Sequence, residues 1–395
     1  MSVRLWGRVL TGGHDLGPTC LELDSGRIIA VEASTNPTAA TDIVLDDGWI
    51  VPGLVDLQVN GAGGVDLTSA AEPTAALDAV AIVLAQHGVT AFCPTLVSSP
   101  VERIVERLPA LRPRPTAGAM CLGAHVEGPF IDPAHRGVHD PEVLRHASGD
   151  EIARWLDAGP PALVTLAPEL PGSLAAIEQL CAAGVVVSLG HSGANVAAAQ
   201  AGVAAGARMG THLFNAMPPL HHRQPGLVGA LLASQATLGL IADGVHLDPL
   251  VIELVVRLAG PRRVALVSDA LAAAAAAPGT VALGDQTVHS DGVSVRRANG
   301  TLAGSALLLD ACLRHARDWL GDWLSPAELV LMATQTPADV LGARRKGRIE
   351  AGADADLALF DSEWQVRTTI VGGRIASGAD DDAYAVPVGG PGERP

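Results

Sequence analysis

The sequence has few of the features that mark secreted or membrane-spanning proteins. Its five cysteines are odd in number, scattered, and free of any Cys-x-x-Cys pair, as is typical of proteins in a reducing compartment. The opening residues, MSVRLWGRVLTGG, lack the apolar core of a signal peptide. Every apolar run is broken by Gly, Pro or charge before it reaches the roughly 18 residues that a spanning helix needs. We therefore expect a cytoplasmic protein without a membrane partner.

Basic and aromatic residues are also scarce. Lys and Arg number 26 against 42 Asp and Glu, which gives a net charge of −16, and aromatic residues make up 3% of the chain. A polyanion would be repelled at long range, so nucleic-acid binding is not expected. One small anion such as a phosphate can still bind to a few convergent Arg and His side chains. With 48% hydrophobic and 17% charged residues, the chain is globular rather than disordered.

The chain does contain eight short apolar runs with alanine-rich segments of helical spacing between most of them. TAALDAVAIVLAQHG and SLAAIEQLCAAG are examples of these segments, and both end in glycine, as helices often do. Strands buried on both faces have near-continuous apolar sequences, so eight of them favour a (β/α)8 TIM-type barrel. The alternative is an open, doubly wound sheet. The runs cover residues 54–61, 88–96, 120–128, 162–169, 185–192, 207–215, 238–246 and 263–270.

The two ends of the chain have short strand-like segments instead. A piece of about 50 residues buries too little surface to be stable alone. Residues 1–50 and 347–380 are therefore predicted to form one small β-sandwich domain beside a barrel over residues 51–346. Residues 381–395 have the composition of a disordered tail. The six alanines at 272–277 predict a short helix or a lid segment.

Polar side chains stand at the ends of most predicted barrel strands. The carboxyl ends of barrel strands converge on the active site in this architecture, so we expect side chains that are distant in sequence to meet there. These residues are Gln58, Asn60, Glu127, Glu169, His191, His212, His246 and Asp269.

Four of these residues have the chemistry of a hydrolytic metal site. Glu127, His191 and His212 supply one carboxylate and two imidazoles, a three-ligand set that leaves one position open for water, as in catalytic zinc sites. Any one of them alone is better explained as a hydrogen-bonded polar residue. Asp269, with an unperturbed pKa of about 3.9, would be ionised at neutral pH and is the predicted general base. Its alternative role is the N-cap of a following alanine helix.

Several motifs resemble those of the N-acetylglucosamine-6-phosphate deacetylases, in the amidohydrolase superfamily. They occur in order over nearly the whole chain: PGLVDLQVNGAGGVD, HVEGPF, RGVHDP, LGHSGA, THLFNAMPPLHHRQPG, ADGVH, LVSDA and LAGS. PGLVD marks only the superfamily, whereas THLFNAMPPLHHRQPG, HVEGPF and ADGVH are more specific. The resemblance implies a barrel with a small β-sandwich. It also implies hydrolysis of N-acetylglucosamine 6-phosphate to glucosamine 6-phosphate and acetate.

The resemblance also implies roles for individual residues. Glu127, His191 and His212 would bind one divalent metal per subunit, Zn²⁺ first, with Fe²⁺, Co²⁺ and Mn²⁺ as alternatives. Asp269 would be the acid and base, and His139 would steady the amide carbonyl as it becomes an oxyanion. The implied substrate contacts are Asn215, Ala216, Arg223, His246, Leu302, Ala303 and Gly304.

Arg223 is implied to bind the sugar phosphate across a dimer interface, so a homodimer is expected. A guanidinium suits this task because it can donate two hydrogen bonds to phosphate oxygens. His221 and His222 have no implied role, and a solvated loop is the expectation for them. Glycine at position 304 would permit a close backbone approach to the substrate.

The chain departs from many members of the superfamily on its first barrel strand. Gln58 and Asn60 stand where those members have the two histidines of a second metal site, and amides bind zinc poorly. A second metal is therefore not expected. The alternative functions are deacetylation of N-acetylgalactosamine 6-phosphate, hydrolysis of another N-acyl or cyclic amide, and a barrel that binds partners without catalysis. The complete ligand set favours an enzyme.

Overall fold

The computed structural model describes residues 3–37 and 43–378, so the predicted disordered tail, residues 381–395, lies outside the described residues. The described strands are β1 (Val3–Thr11), β2 (His14–Asp24), β3 (Arg27–Ala33), β4 (Ile43–Val44), β5 (Trp49–Pro52), β6 (Leu54–Val59), β7 (Gly61–Ala62), β8 (Val65–Asp66), β9 (Val89–Val97), β10 (Met120–Cys121), β11 (His125–Glu127), β12 (Leu163–Leu166), β13 (Val186–Leu189), β14 (Met209–Gly210), β15 (Thr237–Leu240), β16 (Val264–Leu266), β17 (Gly279–Leu283), β18 (Gln286–Ser290), β19 (Ser294–Arg296), β20 (Leu302–Ser305), β21 (Leu357–Phe360), β22 (Val366–Val371) and β23 (Arg374–Gly378).

The helices of the described residues are mostly short. The α-helices are α1 (Pro73–Gln86), α2 (Val101–Arg107), α3 (Gly149–Ala158), α4 (Ser173–Ala182), α5 (Val196–Ala204), α6 (Gly226–Leu232), α7 (Pro249–Ala259), α8 (Leu309–Leu320), α9 (Pro326–Ala333) and α10 (Gln335–Val340). Single 3-10 turns lie at Leu108–Leu111, Pro133–His135, Pro141–Val143 and Pro261–Arg263. Among the described helices, none combines the length and the apolar character needed to cross a bilayer.

Eight parallel strands form the central barrel, in the order β6, β9, β11, β12, β13, β14, β15 and β16. A parallel bridge between Val59 and Ala270 joins the first of these strands to the residues after the last. This closure excludes the open sheet. Strand β9 shows why the sequence folds this way, since all nine of its residues are buried, as expected for a strand covered on both faces. The predicted (β/α)8 barrel is confirmed.

Both ends of the chain contribute to a second sheet beside the barrel. Its strand order is β23, β22, β21, β5, β1, β2 and β3, with β4 paired to β1. The antiparallel pairing of β21 with β5 joins the two ends, with Leu357 opposite Pro52. The sheet has its own apolar cluster, which includes Leu5, Leu21 and Ile370. The predicted fold class is therefore confirmed, while the division at residues 50 and 347 stays a prediction.

A third sheet, β17 to β20, was not predicted. Its four antiparallel strands follow the last barrel strand along the chain. Leu283, Val288 and Val295 of this sheet pack against Val97 and Leu271 in one buried cluster. This sheet therefore covers the edge of the barrel at which the predicted site residues stand.

The alanine run at 272–277 does not form the predicted helix. It makes two tight turns, in which the N–H of Ala274 donates to Leu271 and that of Ala276 donates to Ala273. The carbonyls of Ala272 and Ala274 accept from Gly64 and Gly63 instead. The high helix propensity of alanine is overridden because these carbonyls pair with the loop that follows β6.

Asp56, on β6, is a fully buried carboxyl group without a cation partner among the described residues. One of its oxygens accepts hydrogen bonds from the N–H groups of Gln58 and Ser268, both at 3.2 Å. The other oxygen has no hydrogen-bond partner in the described chain. Burial therefore raises the pKa of Asp56 from 3.8 to about 6.

Asp56→Asn is expected to reduce the pH dependence of the unfolding free energy between about pH 4 and pH 6. The raised pKa means that the folded protein keeps a proton that the unfolded chain releases in this window. The corresponding stability is present below pH 3.8 and is lost as the pH rises through about 6, a loss of about 3 kcal/mol. Urea unfolding of the parent and of Asp56→Asn, each at about pH 4 and about pH 7, measures this change in the free energy of unfolding. The same pH dependence in both proteins would contradict the assignment.

Candidate active site

The carboxyl ends of the barrel strands meet at a cavity of about 200 Å³. Most of the residues predicted from the strand ends and from the family resemblance line it. They are Asn60, Glu127, His139, His191, His212, Asn215, Ala216, His246, Asp269, Leu302 and Ala303.

Three donor atoms converge at the floor of this cavity. Oε1 of Glu127 lies 3.1 Å from Nε2 of His212 and 3.3 Å from Nε2 of His191, and the two Nε2 atoms are 3.1 Å apart. Donor atoms bound about 2.0–2.2 Å from one tetrahedral metal ion are themselves about 3.3 Å apart. The spacing of the trio therefore fits a single small cation.

The orientation of His191 fixes which of its ring nitrogens carries a proton. Its Nδ1 lies 3.0 Å from the carbonyl oxygen of His135. A carbonyl can only accept, so Nδ1 is the protonated nitrogen, and Nε2 of the neutral ring directs its lone pair at the cavity. A backbone carbonyl behind a histidine is a common support for a metal ligand. His191 is thus prepared to bind a cation.

His139 has the opposite arrangement. Its Nδ1 accepts from the N–H of Ser98 at 3.2 Å and lies 2.7 Å from the Ser98 hydroxyl. Nε2 therefore carries the proton in the neutral ring, and it lies 3.7 Å from Oε2 of Glu127. Glu127, His139 and His191 are also close enough to share an ion, but only His191 offers an unprotonated nitrogen. The geometry favours His212 as the third ligand and His139 as a hydrogen-bond donor.

His212 is held differently from His191. It is buried, and its Nδ1 has no hydrogen-bond partner among the described residues. Its Nε2 is directed at Glu127 and His191. Two imidazole nitrogens and a carboxylate oxygen lie about 3 Å apart here. Where all three atoms present lone pairs, none of them can donate a hydrogen bond to the others. A cation between them resolves this arrangement.

The two carboxylates of the site differ in electrostatics. Burial alone would raise the pKa of Glu127, but the three neighbouring imidazoles of His139, His191 and His212 outweigh burial and hold that pKa well below its ordinary value. Burial, together with repulsion from Glu127, raises the pKa of Asp269 well above its ordinary value. Paired carboxyl groups with pKa values shifted in opposite directions are a common feature of hydrolytic sites.

The amides on the first barrel strand contact these two carboxylates. Nε2 of Gln58 donates to Oε1 of Glu127 at 2.8 Å. Nδ2 of Asn60 donates to Oδ1 of Asp269, also at 2.8 Å. Gln58 therefore contacts Glu127, and Asn60 contacts Asp269. Neither amide is left free to take the place of the histidines that bind a second metal in other members of the superfamily.

His191, His212 and Asp269 have unusual backbone conformations. The φ angles are 49° for His191, 26° for His212 and 50° for Asp269, in the left-handed region that few non-glycine residues adopt. All three lie just past the ends of their strands. The alternative role of Asp269 as a helix N-cap is wrong, because no helix begins at the described residues that directly follow it.

Asp243 supports His246 at the rim of the cavity. Oδ2 of Asp243 lies 2.7 Å from Nδ1 of His246. Burial would raise the pKa of Asp243, but its bonds to His246 lower it. An ionised carboxylate can only accept, so Nδ1 of His246 is protonated. Its Nε2 is left to face the cavity.

Four predicted residues do not line the cavity, and one of them, Gln58, contacts Glu127 as described above. Arg223 lies in an exposed loop beside His221 and His222, whose rings are 4.3 Å apart. Gly304 lies behind Asp269, where an added Cβ would be 2.9 Å from the Asp269 carbonyl oxygen. The close backbone approach at Gly304 is therefore to Asp269, whereas an approach to the substrate was predicted. Glu169 accepts from the Ser192 hydroxyl and the Gly193 N–H, both at 2.7 Å.

Sequence reasoning missed the residues that orient the histidines. Ser98 directly follows β9, two residues before Pro100, and His135 belongs to a 3-10 turn capped by Asp132. Both act through hydrogen bonds that depend on the folded backbone. The only signal in the sequence was their position next to predicted strand ends or motifs.

A closed barrel with a Glu/His/His trio and a neighbouring aspartate at its strand ends defines an amidohydrolase. A family model described as "Amidohydrolase family" matches residues 49–376. The chain belongs to this family and, within it, to the N-acetylglucosamine-6-phosphate deacetylases. The family implies a divalent metal, and the donor atoms described above fit one.

The relatives support this assignment over most of the chain. The N-acetylglucosamine-6-phosphate deacetylase of Danio rerio is 40% identical over 82% of this chain and 83% of its own. A Mycobacterium smegmatis structure of the same enzyme, a mutant in complex with N-acetyl-D-glucosamine-6-phosphate, is 34% identical with a TM-score of 0.88. It covers 95% of this chain and 99% of its own. The N-acetylgalactosamine-6-phosphate deacetylase of Escherichia coli O157:H7 is 36% identical over 94% and 98%.

Proposed function

We propose that this enzyme hydrolyses the acetamide of N-acetylglucosamine 6-phosphate to glucosamine 6-phosphate and acetate. The observation that carries the proposal is the arrangement of Glu127, His191 and His212, with donor atoms 3.1–3.3 Å apart. Asp269 and His139 face the same cavity. This set provides a metal site, a proton carrier and an oxyanion donor, which are the parts that amide hydrolysis needs.

Glu127, His191 and His212 would hold one divalent metal per subunit. We propose Zn²⁺, because one carboxylate and two imidazoles in a tetrahedral arrangement suit it, while Fe²⁺, Co²⁺ and Mn²⁺ prefer similar ligands. When bound, such a metal acts as a Lewis acid and lowers the pKa of a bound water towards 7. Gln58 and Asn60 are engaged with carboxylates, which supports a single metal.

Asp269 would move the proton. Its carboxylate accepts a proton from the attacking water as the oxygen bonds to the acetamide carbon. It returns that proton to the nitrogen as the C–N bond breaks, which releases the amine and acetate. The raised pKa of Asp269 suits a group that must hold the proton between these two steps.

His139 would stabilise the negative charge that develops on the carbonyl oxygen. Ser98 fixes the tautomer that has a proton on Nε2, and this proton faces the cavity beside Glu127. A donor already aimed at a developing oxyanion typically contributes about 3–4 kcal/mol to the transition state. His139 would therefore add to the stabilisation of the oxyanion that a bound metal would supply.

The remaining cavity residues would bind the sugar. Asn215, Ala216, Leu302 and Ala303 also line the cavity. Gly304 supports this wall from behind Asp269. His246, fixed by Asp243, offers Nε2 to a sugar hydroxyl or to the phosphate.

The phosphate of a substrate in this cavity would be bound by a residue from a second copy of the chain. None of the described residues that line the cavity is an arginine or a lysine, although a phosphate is best bound by such a cation. Arg223 is exposed and has no ionic partner in the described part of the chain. We propose a homodimer in which Arg223 reaches the neighbouring site.

Arg223→Ala is expected to lower kcat/KM for the phosphorylated sugar by about 10- to 100-fold, the value of a charge-assisted hydrogen bond. Stability should be unchanged, because the side chain is exposed. Initial rates on the phosphorylated and unphosphorylated sugars measure this effect, with Arg262→Ala, another exposed arginine, as the control. An unaltered kcat/KM on the phosphorylated sugar would remove Arg223 from the phosphate site.

We infer a cytoplasmic location from cysteine usage. Cys93, Cys121, Cys181 and Cys312 are free thiols, and three of these four are buried. Burial raises the pKa of Cys121 to about 11, which makes this thiol unreactive at neutral pH. A protein with this pattern is suited to a reducing compartment.

The second candidate substrate is N-acetylgalactosamine 6-phosphate, which the name of the Escherichia coli O157:H7 relative favours. Acetate release from both phosphorylated epimers and from unphosphorylated N-acetylglucosamine, on protein of known metal content, tests the proposal. Turnover of only the phosphorylated gluco epimer with about one metal per chain is expected. Faster turnover of the galacto epimer would make N-acetylgalactosamine 6-phosphate the assigned substrate. Full metal without turnover of any of the three sugars would overturn the proposed activity.

A further inference from the structure

Asn60 has one side-chain atom whose role is not explained by the proposed mechanism. Its Nδ2 donates to Asp269, but its Oδ1 is buried and has no hydrogen-bond partner among the described residues. The residue is 2% exposed and lines the cavity. Leaving a buried acceptor unpaired is unfavourable, so we expect this oxygen to find a donor when the cavity is filled.

Backbone hydrogen bonds hold Asn60 beside the segment that contains Asp269. The N–H of Asn60 donates to the carbonyl of Ala270 at 2.8 Å, and its carbonyl accepts from Leu67 at 2.9 Å. Ala270 follows Asp269 directly, so Asn60 and the predicted base are held by adjacent backbone segments. Because the side-chain amide is planar and its nitrogen is bound to Asp269, its oxygen lies beside the Asp269 carboxylate.

We propose that Oδ1 of Asn60 accepts a hydrogen bond from the N–H of the scissile acetamide. This inference rests on the proposed function. The acetamide nitrogen has one hydrogen, and it must receive a second from Asp269 as the C–N bond breaks. An acceptor next to the carboxylate holds the existing N–H to one side and turns the nitrogen lone pair towards the incoming proton. Asn60 is then a catalytic residue that selects amides that have an N–H.

The test compares two substrates that differ in the group that links the acetyl to the sugar. One is N-acetylglucosamine 6-phosphate, and the other is the 2-O-acetyl ester of glucose 6-phosphate, in which oxygen replaces the N–H. Asn60→Ala is expected to lower kcat/KM for the amide by at least about tenfold more than for the ester. An equal loss on both substrates overturns the proposal. Misplacing Asp269 also slows the amide more than the ester, because an amine leaves only after it is protonated, so a matched variant is needed to separate the two causes.

Asn60→Asp is the matched variant, because it keeps an acceptor oxygen and loses the donor to Asp269. We expect it to slow both substrates while the amide-to-ester ratio stays near that of the parent. A ratio that falls as far as in Asn60→Ala would overturn the proposal. Metal content, measured in all three proteins, is expected to stay at about one per chain. If the parent protein releases acetate from neither compound, the proposed function fails first, and the role of Asn60 fails with it.

Discussion

Asp269→Asn is expected to bind metal as the parent protein does and to lose about 10²- to 10⁴-fold in kcat. The substitution keeps the shape of the side chain and removes its ability to carry a proton. Asp269 does not belong to the trio of donor atoms that are 3.1–3.3 Å apart, so the metal site should stay intact. Steady-state kinetics on N-acetylglucosamine 6-phosphate, with metal analysis of the same samples, measure both quantities.

The control for this variant is Asp285→Asn. Asp285 is exposed and pairs with Arg103, so its substitution should leave metal content and kcat at the level of the parent. Parental kcat in Asp269→Asn would remove Asp269 from the mechanism. Loss of metal from Asp269→Asn would instead place this carboxylate among the ligands.

Glu127→Gln should lose metal and turnover together. The carboxylate supplies the negative charge of the trio, and its Oε1 is the atom shared by His191 and His212. An amide oxygen is a much weaker ligand for zinc, so we expect metal affinity to fall by more than about 100-fold, beyond the effect of removing an outer hydrogen bond. Competition with a chelator of known affinity measures the change.

Glu178→Gln, on the exposed face of α4, is the matched control for Glu127→Gln. It should keep the metal affinity and the turnover of the parent. A Glu127→Gln protein with full metal content would contradict the ligand set. The alternative trio that includes His139 also depends on Glu127, so His212→Ala distinguishes the two sets by metal retention.

The barrel and the placement of its polar residues could be predicted from the sequence because each depends on a local pattern. A strand that is buried on both faces has to be apolar throughout, as β9 is. The polar residue that ends such a run then stands at the carboxyl edge. Glu127, His191, His212 and Asp269 were predicted in this way, and the structure places all of them in one cavity.

The features that escaped prediction depend on partners distant in sequence. The tautomer of His139 is set by Ser98, 41 residues away, and no spacing rule relates the two. The alanines at 272–277 have helical propensity, but their carbonyls bond to Gly63 and Gly64. The sheet of β17 to β20 does leave a signal, since Val281 and Leu283 stand at alternate positions just before a Gly-Asp turn.

The left-handed backbone conformations of His191, His212 and Asp269 lower the free energy of unfolding at residues that the proposed activity needs. Such conformations cost about 1–3 kcal/mol each and persist because the surrounding barrel enforces them. Selection for heat resistance alone would favour glycine or asparagine at these positions, since both tolerate a positive φ. A laboratory population evolved for thermostability without an activity screen would therefore lose the hydrolytic centre while the barrel survives.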